Sequence, residues 1–98
     1  MKTLTLNNER VTIPTIRPLY TPSGSEAKNQ YVIEMGDKEI FQSYETIIAV
    51  KTNGKVYLDP KHDCSNTTAK YRNIFLGMKK PEILKEIEKG NIIITDLN

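Results

Sequence analysis

The sequence predicts an α+β domain, with a mainly antiparallel sheet of about five to seven short strands followed by two C-terminal helices. Three observations carry this expectation. Short runs rich in β-branched and aromatic residues recur up to residue 58, punctuated by turn dipeptides such as Gly36-Asp37 and Asn53-Gly54. The pattern then changes, and two later segments carry helix start and stop residues, one ending at Gly77 and one running from Pro81 to Gly90. Ninety-eight residues have room for a single core, so residues 1–98 are read as one domain.

From the N-terminus, Leu4 and Leu6 alternate with threonines, and Val11 and Ile13 do the same after Asn7-Asn8-Glu9, which reads as a hairpin. Pro14, Pro18 and Pro22 then remove backbone donors at close intervals, which limits residues 14–22 to an edge strand or an extended arm. SGSEAKN reads as a flexible loop, so residues 1–29 form a hairpin plus arm, with Ile16, Leu19 and Tyr20 resting on something apolar.

YVIEM and EIFQS flank Gly36-Asp37 as a second hairpin. A two-residue loop would set Glu34 opposite Glu39, whereas a three-residue loop sets Glu34 against Ile40; like-charge repulsion favours the longer loop. TIIAVKT and KVYLD pair around Asn53-Gly54, the dipeptide that best tolerates positive φ at both central positions. Pairing outward puts Ile48, Val50 and Tyr57 on one face and Ile47, Ala49, Val56 and Leu58 on the other. Both faces are apolar, so this strand pair belongs inside a sheet covered on two sides by helices, by the arm or by another subunit.

The first helix begins near Asn66 or Thr67, with Asp63 or Ser65 helping to cap it, and ends at Gly77. At 100° per residue, Thr67, Tyr71, Ile74 and Phe75 share one arc that packs on the sheet, while Ala69, Asn73 and Leu76 form a small mixed surface on the far side. The second helix takes Pro81 as its first residue, places Glu82 at the positive end of its dipole, buries Ile83, Leu84 and Ile87, and stops at Gly90. Ile92, Ile93 and Ile94 make a last short strand.

Composition excludes more than it identifies. Fourteen Lys and Arg against twelve Asp and Glu give a net charge of +2, too small for a long-range electrostatic footprint. One cysteine cannot form an internal disulfide, MKTLTLNNER has no unbroken apolar run, and nothing approaches the roughly 20 apolar residues of a membrane span, so a cytosolic chain with no membrane partner is expected. The glycines are isolated, as turns and caps require, and form no phosphate loop.

Two stretches remain as candidate chemistry. His62-Asp63-Cys64 holds the one histidine and the one cysteine, but adjacency in sequence does not supply the geometry of a nucleophile and its base, and two ligands fall short of a four-ligand zinc site. No catalytic residue, metal ligand or cofactor is therefore assigned. From Cys64 to Pro81 there is no acidic residue, and Lys70, Arg72, Lys79 and Lys80 supply a basic block. Lys70 and Arg72 stand roughly 160° apart around the helix, flanking its buried face. The binding candidates are Lys70, Arg72, Asn73, Lys79 and Lys80. A nucleic-acid interface would add Lys51 and Lys55 and needs all these side chains to converge.

The blocks FxSYxTxIA at 41–49, GKVYLD at 54–59, SxTTxK at 65–70 and FLG at 75–77 resemble a family of small uncharacterised domains encoded by tailed bacteriophages, over about residues 39–77. The resemblance implies a phage or prophage origin and expression in the host bacterial cytoplasm, and brings no catalytic or ligand-binding residues. In related sequences the position of Cys64 is commonly aromatic, which further disfavours a cysteine nucleophile. The expected function is non-enzymatic: an accessory protein that binds a host macromolecule, as anti-CRISPR-like counter-defence or host-takeover proteins do. The alternative is a nucleic-acid-binding module built around the first helix. The two apolar faces of the central hairpin and the small core make a homodimer as admissible as a monomer.

Overall fold

The computed structural model describes residues 2–98, with side chains from residue 3 onward. Its centre is a six-stranded sheet in the order β3-β4-β5-β6-β7-β8, formed by β3 (Thr15–Tyr20), β4 (Glu26–Met35), β5 (Lys38–Ser43), β6 (Thr46–Thr52), β7 (Lys55–Leu58) and β8 (Ile92–Ile94). All neighbours are antiparallel except β7 and β8, which run parallel because helices α1 (Asn66–Leu76) and α2 (Lys80–Glu88) make the crossover between them. The α+β class and the C-terminal placement of both helices are as the sequence predicts.

β1 (Lys2–Leu6) and β2 (Glu9–Ile13) form a separate two-stranded ribbon. Asn7 and Asn8 both take positive φ, 51° and 66°, so a two-residue turn pairs Leu6 with Glu9. β3 follows after Pro14 alone and lies at the sheet edge, where Pro18 has no ladder bond to lose on its outer side. The expected loop at SGSEAKN is shorter than its composition implies. Thr21 and Ser25 close a tight turn, and β4 begins at Glu26 with Ala27 buried, so the arm is a hairpin strand from residue 15 onward.

The β4–β5 turn corrects the expected register. Glu34 stands opposite Glu39, and Gly36 at φ 61° with Asp37 closes a two-residue loop. Each carboxylate has its own cation on the next strand outward: Arg17 Nε lies 3.3 Å from Glu34, and Lys51 Nζ lies 3.5 Å from Glu39. The repulsion that argued against this register is thus offset by two strands absent from the isolated hairpin. Around Asn53-Gly54 the register is as predicted, with Thr52 opposite Lys55 and Val50 opposite Tyr57.

A bulge between Phe41 and Gln42 inserts Ile48 into β6, so Ile48 joins Ala49 on the core side while Ile47 moves opposite Gln42. The expected facing of Ile47 and Ile48 is therefore exchanged. The covered side holds Val32, Phe41, Ile48, Ala49 and Leu58 against Phe75, Leu76 and Ile83, with the Phe41 and Phe75 rings stacked 5.5 Å apart. In α2, Ile83 is buried and Ile87 packs beside it, whereas Leu84, expected inside, is 50% exposed.

Candidate functional site

The polar cluster ahead of α1 resolves into caps. Ser65 is the N-cap: its Oγ accepts the Thr68 amide at 3.1 Å and contacts Thr68 Oγ1 at 3.1 Å. Gly77 at φ 66° closes the other end, with its amide and that of Met78 returning to Ile74 and Asn73 carbonyls. Asn66 and Thr67 stay exposed. Scaffolding accounts for Ser65 and Thr68, two of the four residues.

The buried arc of α1 is Thr68, Arg72, Phe75 and Leu76, each one position later than the expected Thr67, Tyr71, Ile74 and Phe75. The helix is rotated by about one residue. Tyr71 and Ile74 remain half-buried against the core. The cause is Arg72, only 1% exposed. Its Nη1 donates to His62 Nδ1 at 2.7 Å, and Nε and Nη2 both donate to Asn73 Oδ1, at 3.1 and 2.8 Å. A guanidinium has no acceptor, so His62 Nδ1 must be unprotonated, with the proton of the neutral ring on Nε2. Burial lowers the His62 pKa below its ordinary value, the Arg72 and Lys80 charges press the same way, and Asp63 and Asp59 oppose them.

Beside this pair lies Asp59, 2% exposed. Burial pushes its carboxyl up, but hydrogen bonds from the Leu97 and Lys61 amides and the Asn98 side chain outweigh that and hold it below the usual carboxylate range. Asn98 also bonds both the N–H and C=O of Ile47, so Asp59 ties residues 97 and 98 onto the sheet. The sequence near Asp59 shows only its contact to the Lys61 amide, since its other two partners lie 38 and 39 residues away.

The five binding candidates divide accordingly. Arg72 is inside, each of its three guanidinium nitrogens donating one hydrogen bond, to His62 or Asn73. Lys70, Lys79 and Lys80 are exposed, with Lys70 Nζ over the Tyr71 ring at 5.3 Å. Lys51 also turns inward, donating to Phe75 O at 2.6 Å and lying 4.4 Å from the Phe75 ring centroid. Asn73 and Lys79 line an open depression of about 400 Å³ with Pro22, Ile74, Gly77, Met78 and Glu82, between the β3–β4 turn and the junction of the helices. Its floor is apolar and its rim carries an amide, a cation and a carboxylate. Cys64 is exposed, and Nδ1 of the His62 ring is engaged by Arg72.

None of the helices is long and apolar enough to cross a membrane, among the described residues. Neither a curated protein nor a solved structure matches the chain. Residues 15–92 do match a family, from the first residue of β3 to the start of β8, taking in the His62–Arg72 pair and the depression at the helix junction and leaving the β1–β2 ribbon and residues 97 and 98 outside. On that match across most of its length, the chain belongs to the family of unknown function DUF8033.

Proposed function

We propose that the chain is a non-enzymatic binding protein, a phage or prophage accessory factor that acts in the host bacterial cytoplasm by docking on a host protein, in the manner of counter-defence or host-takeover inhibitors. The resemblance over residues 39–77 supports the phage origin. The docking surface is the depression at the helix junction, where Pro22, Ile74 and Met78 offer an apolar floor and Asn73, Lys79 and Glu82 a polar rim. That is the anatomy of a small protein-binding patch, an apolar centre enclosed by groups that can pair with a partner. The observation that carries the reading is the division among the candidates: Asn73 and Lys79 face this concavity, while Arg72 is buried and Lys51, half-exposed, is already committed to Glu39 and the Phe75 carbonyl.

The test is capture from nuclease-treated bacterial lysates with the tagged chain. One host protein should be enriched by the wild type and by Lys55→Ala at the distant β6–β7 turn, and lost with Met78→Asp or Lys79→Glu. No enrichment in several hosts, or enrichment that vanishes with nuclease, overturns the reading.

A further inference from the structure

The β1–β2 ribbon is amphipathic, and its apolar face is largely exposed among the described residues. Opposed residues in an antiparallel pair share a face, so Leu4, Leu6, Glu9, Val11 and Ile13 lie on one side and Thr3, Thr5, Arg10 and Thr12 on the other. Leu4, Leu6 and Val11 are 42, 60 and 42% exposed. An isolated two-stranded ribbon is marginally stable in water, and strict alternation of this kind marks a face meant for burial. The ribbon also projects: the radius of gyration is 14.5 Å, against about 13 Å for a compact domain of this length, and the long axis reaches 48 Å.

The same chain carries a second uncovered apolar surface. Both helices pack on the side of the main sheet that holds Val32, Phe41 and Ala49. The register places Ile16, Tyr31, Ile33, Ile40, Val50 and Tyr57 on the opposite side. Ile16 is 65% exposed, and a groove of about 380 Å³ runs between Ile16, Tyr31, Ile33, Gln42 and Tyr44. Lys38 and Lys55 stand on this side at its turn end. The ribbon's own apolar face carries a carboxylate, Glu9, beside Leu6.

We propose that two copies of the chain pair by exchanging these ribbons, each copy laying its Leu4, Leu6, Val11 and Ile13 face on the open sheet face of the other, with Glu9 directed toward the Lys38–Lys55 end. The ribbon cannot cover its own sheet. β2 ends at Ile13 and β3 begins at Thr15, and Pro14, with φ fixed near −65°, leaves no loop in which the chain could reverse. A second copy supplies the missing cover for both surfaces at once. A ribbon of five-residue strands spans only about 17 Å by 10 Å, less than the roughly 800 Å² per partner of a standard stable interface, so one arm is insufficient and the two-fold exchange, which makes the contact twice, is the form that holds.

Sedimentation equilibrium on the full chain tests this with three proteins: wild type, Leu4→Asp/Leu6→Asp and Ile40→Lys. Wild type should sediment at twice the chain mass. The arm variant should be monomeric, its dissociation constant raised by at least about 100-fold by two carboxylates pressed on an apolar face, while its circular dichroism and thermal transition stay those of the folded main sheet. Ile40→Lys on the receiving face should dissociate the dimer in the same way, and mixing the two variants, which leaves one intact arm on one intact face, should leave both monomeric at concentrations where wild type is dimeric. A monomeric wild type up to about 100 µM, or a dimer that persists in the arm variant, overturns the proposal, the first because a different partner covers the ribbon and the second because the copies meet elsewhere.

Discussion

Arg72 donates a 2.7 Å hydrogen bond to His62 Nδ1 inside the fold, so a residue whose charge and place in a basic stretch suggest a surface instead holds the loop after β7 to α1. Both ring and guanidinium are withdrawn from water. This contact decides the rotation of α1, the neutral state of the histidine and the loss of Arg72 from any anion-binding surface.

Acid should therefore weaken the fold at mildly low pH. His62 has a native pKa below its ordinary value near 6.5, so as pH falls through about 6.5 the unfolded chain takes up a proton that the native chain refuses, and stability drops until the native pKa is passed. Thermal melts from pH 8 to pH 3 should show the transition falling below pH 6.5. His62→Asn, which keeps an acceptor for Arg72 but does not titrate, should flatten that region and leave a second decline below about pH 4, where Asp59 is protonated in the unfolded chain before the native one. A wild-type melt independent of pH between 6.5 and 5 contradicts the account.

Lys51 serves Glu39 and the last turn of α1 together. Lys51→Met removes the 3.5 Å ion pair, the hydrogen bond to Phe75 O and the charge over the Phe75 ring, and should cost about 1–2 kcal/mol, or some 4–15 °C in Tm for a chain of this size. Adding Glu39→Gln should restore part of this, because it also removes the carboxylate that faces Glu34. Additive losses in urea titrations of the double-mutant cycle would show that the register does not depend on this cation.

Ser65→Ala should destabilise by about 1 kcal/mol through the orphaned Thr68 amide. Thr67→Ala, two residues on and exposed, should change stability by less than about 0.5 kcal/mol. Chemical denaturation of the two variants separates the capping residue from its neighbour; equal effects would mean that the cluster acts otherwise than as a cap.

Any binding to duplex DNA should be weak and shallow in its salt dependence. With Arg72 buried and Lys51 committed to Glu39 and the Phe75 carbonyl, Lys70, Lys79 and Lys80 are the uncommitted exposed cations around α1, and three phosphate contacts give a slope of log K against log salt no steeper than about −3. Fluorescence anisotropy across 50–200 mM salt measures it. A slope of about −5 or steeper would require more cations than Lys70, Lys79 and Lys80 supply.

Much of the framework was legible because it is local. Asn53-Gly54 dictates its turn through backbone strain, Leu4 to Ile13 alternates with the period of a ribbon, and Pro81 and Gly77 mark helix boundaries by what their backbones allow. None of this depends on distant partners. Where the reading missed, the deciding contact lay outside the window: Glu34 against Glu39 is disfavoured in a lone hairpin and permitted once β3 and β6 bring Arg17 and Lys51. The bulge at Ile48 likewise follows from how β6 meets β5 and leaves no mark in the sequence of either strand.

The sequence by itself determined most of the strands, both helices and where most of them turn, since periodicity, caps and positive-φ residues act within a few positions of themselves. Only the tertiary structure decided which face of α1 is inside, because a guanidinium is costly to bury until an imidazole acceptor from the loop before the helix and an amide oxygen beside it satisfy its donors. It also decided which sheet face stays open, because that depends on where both helices and the ribbon come to rest.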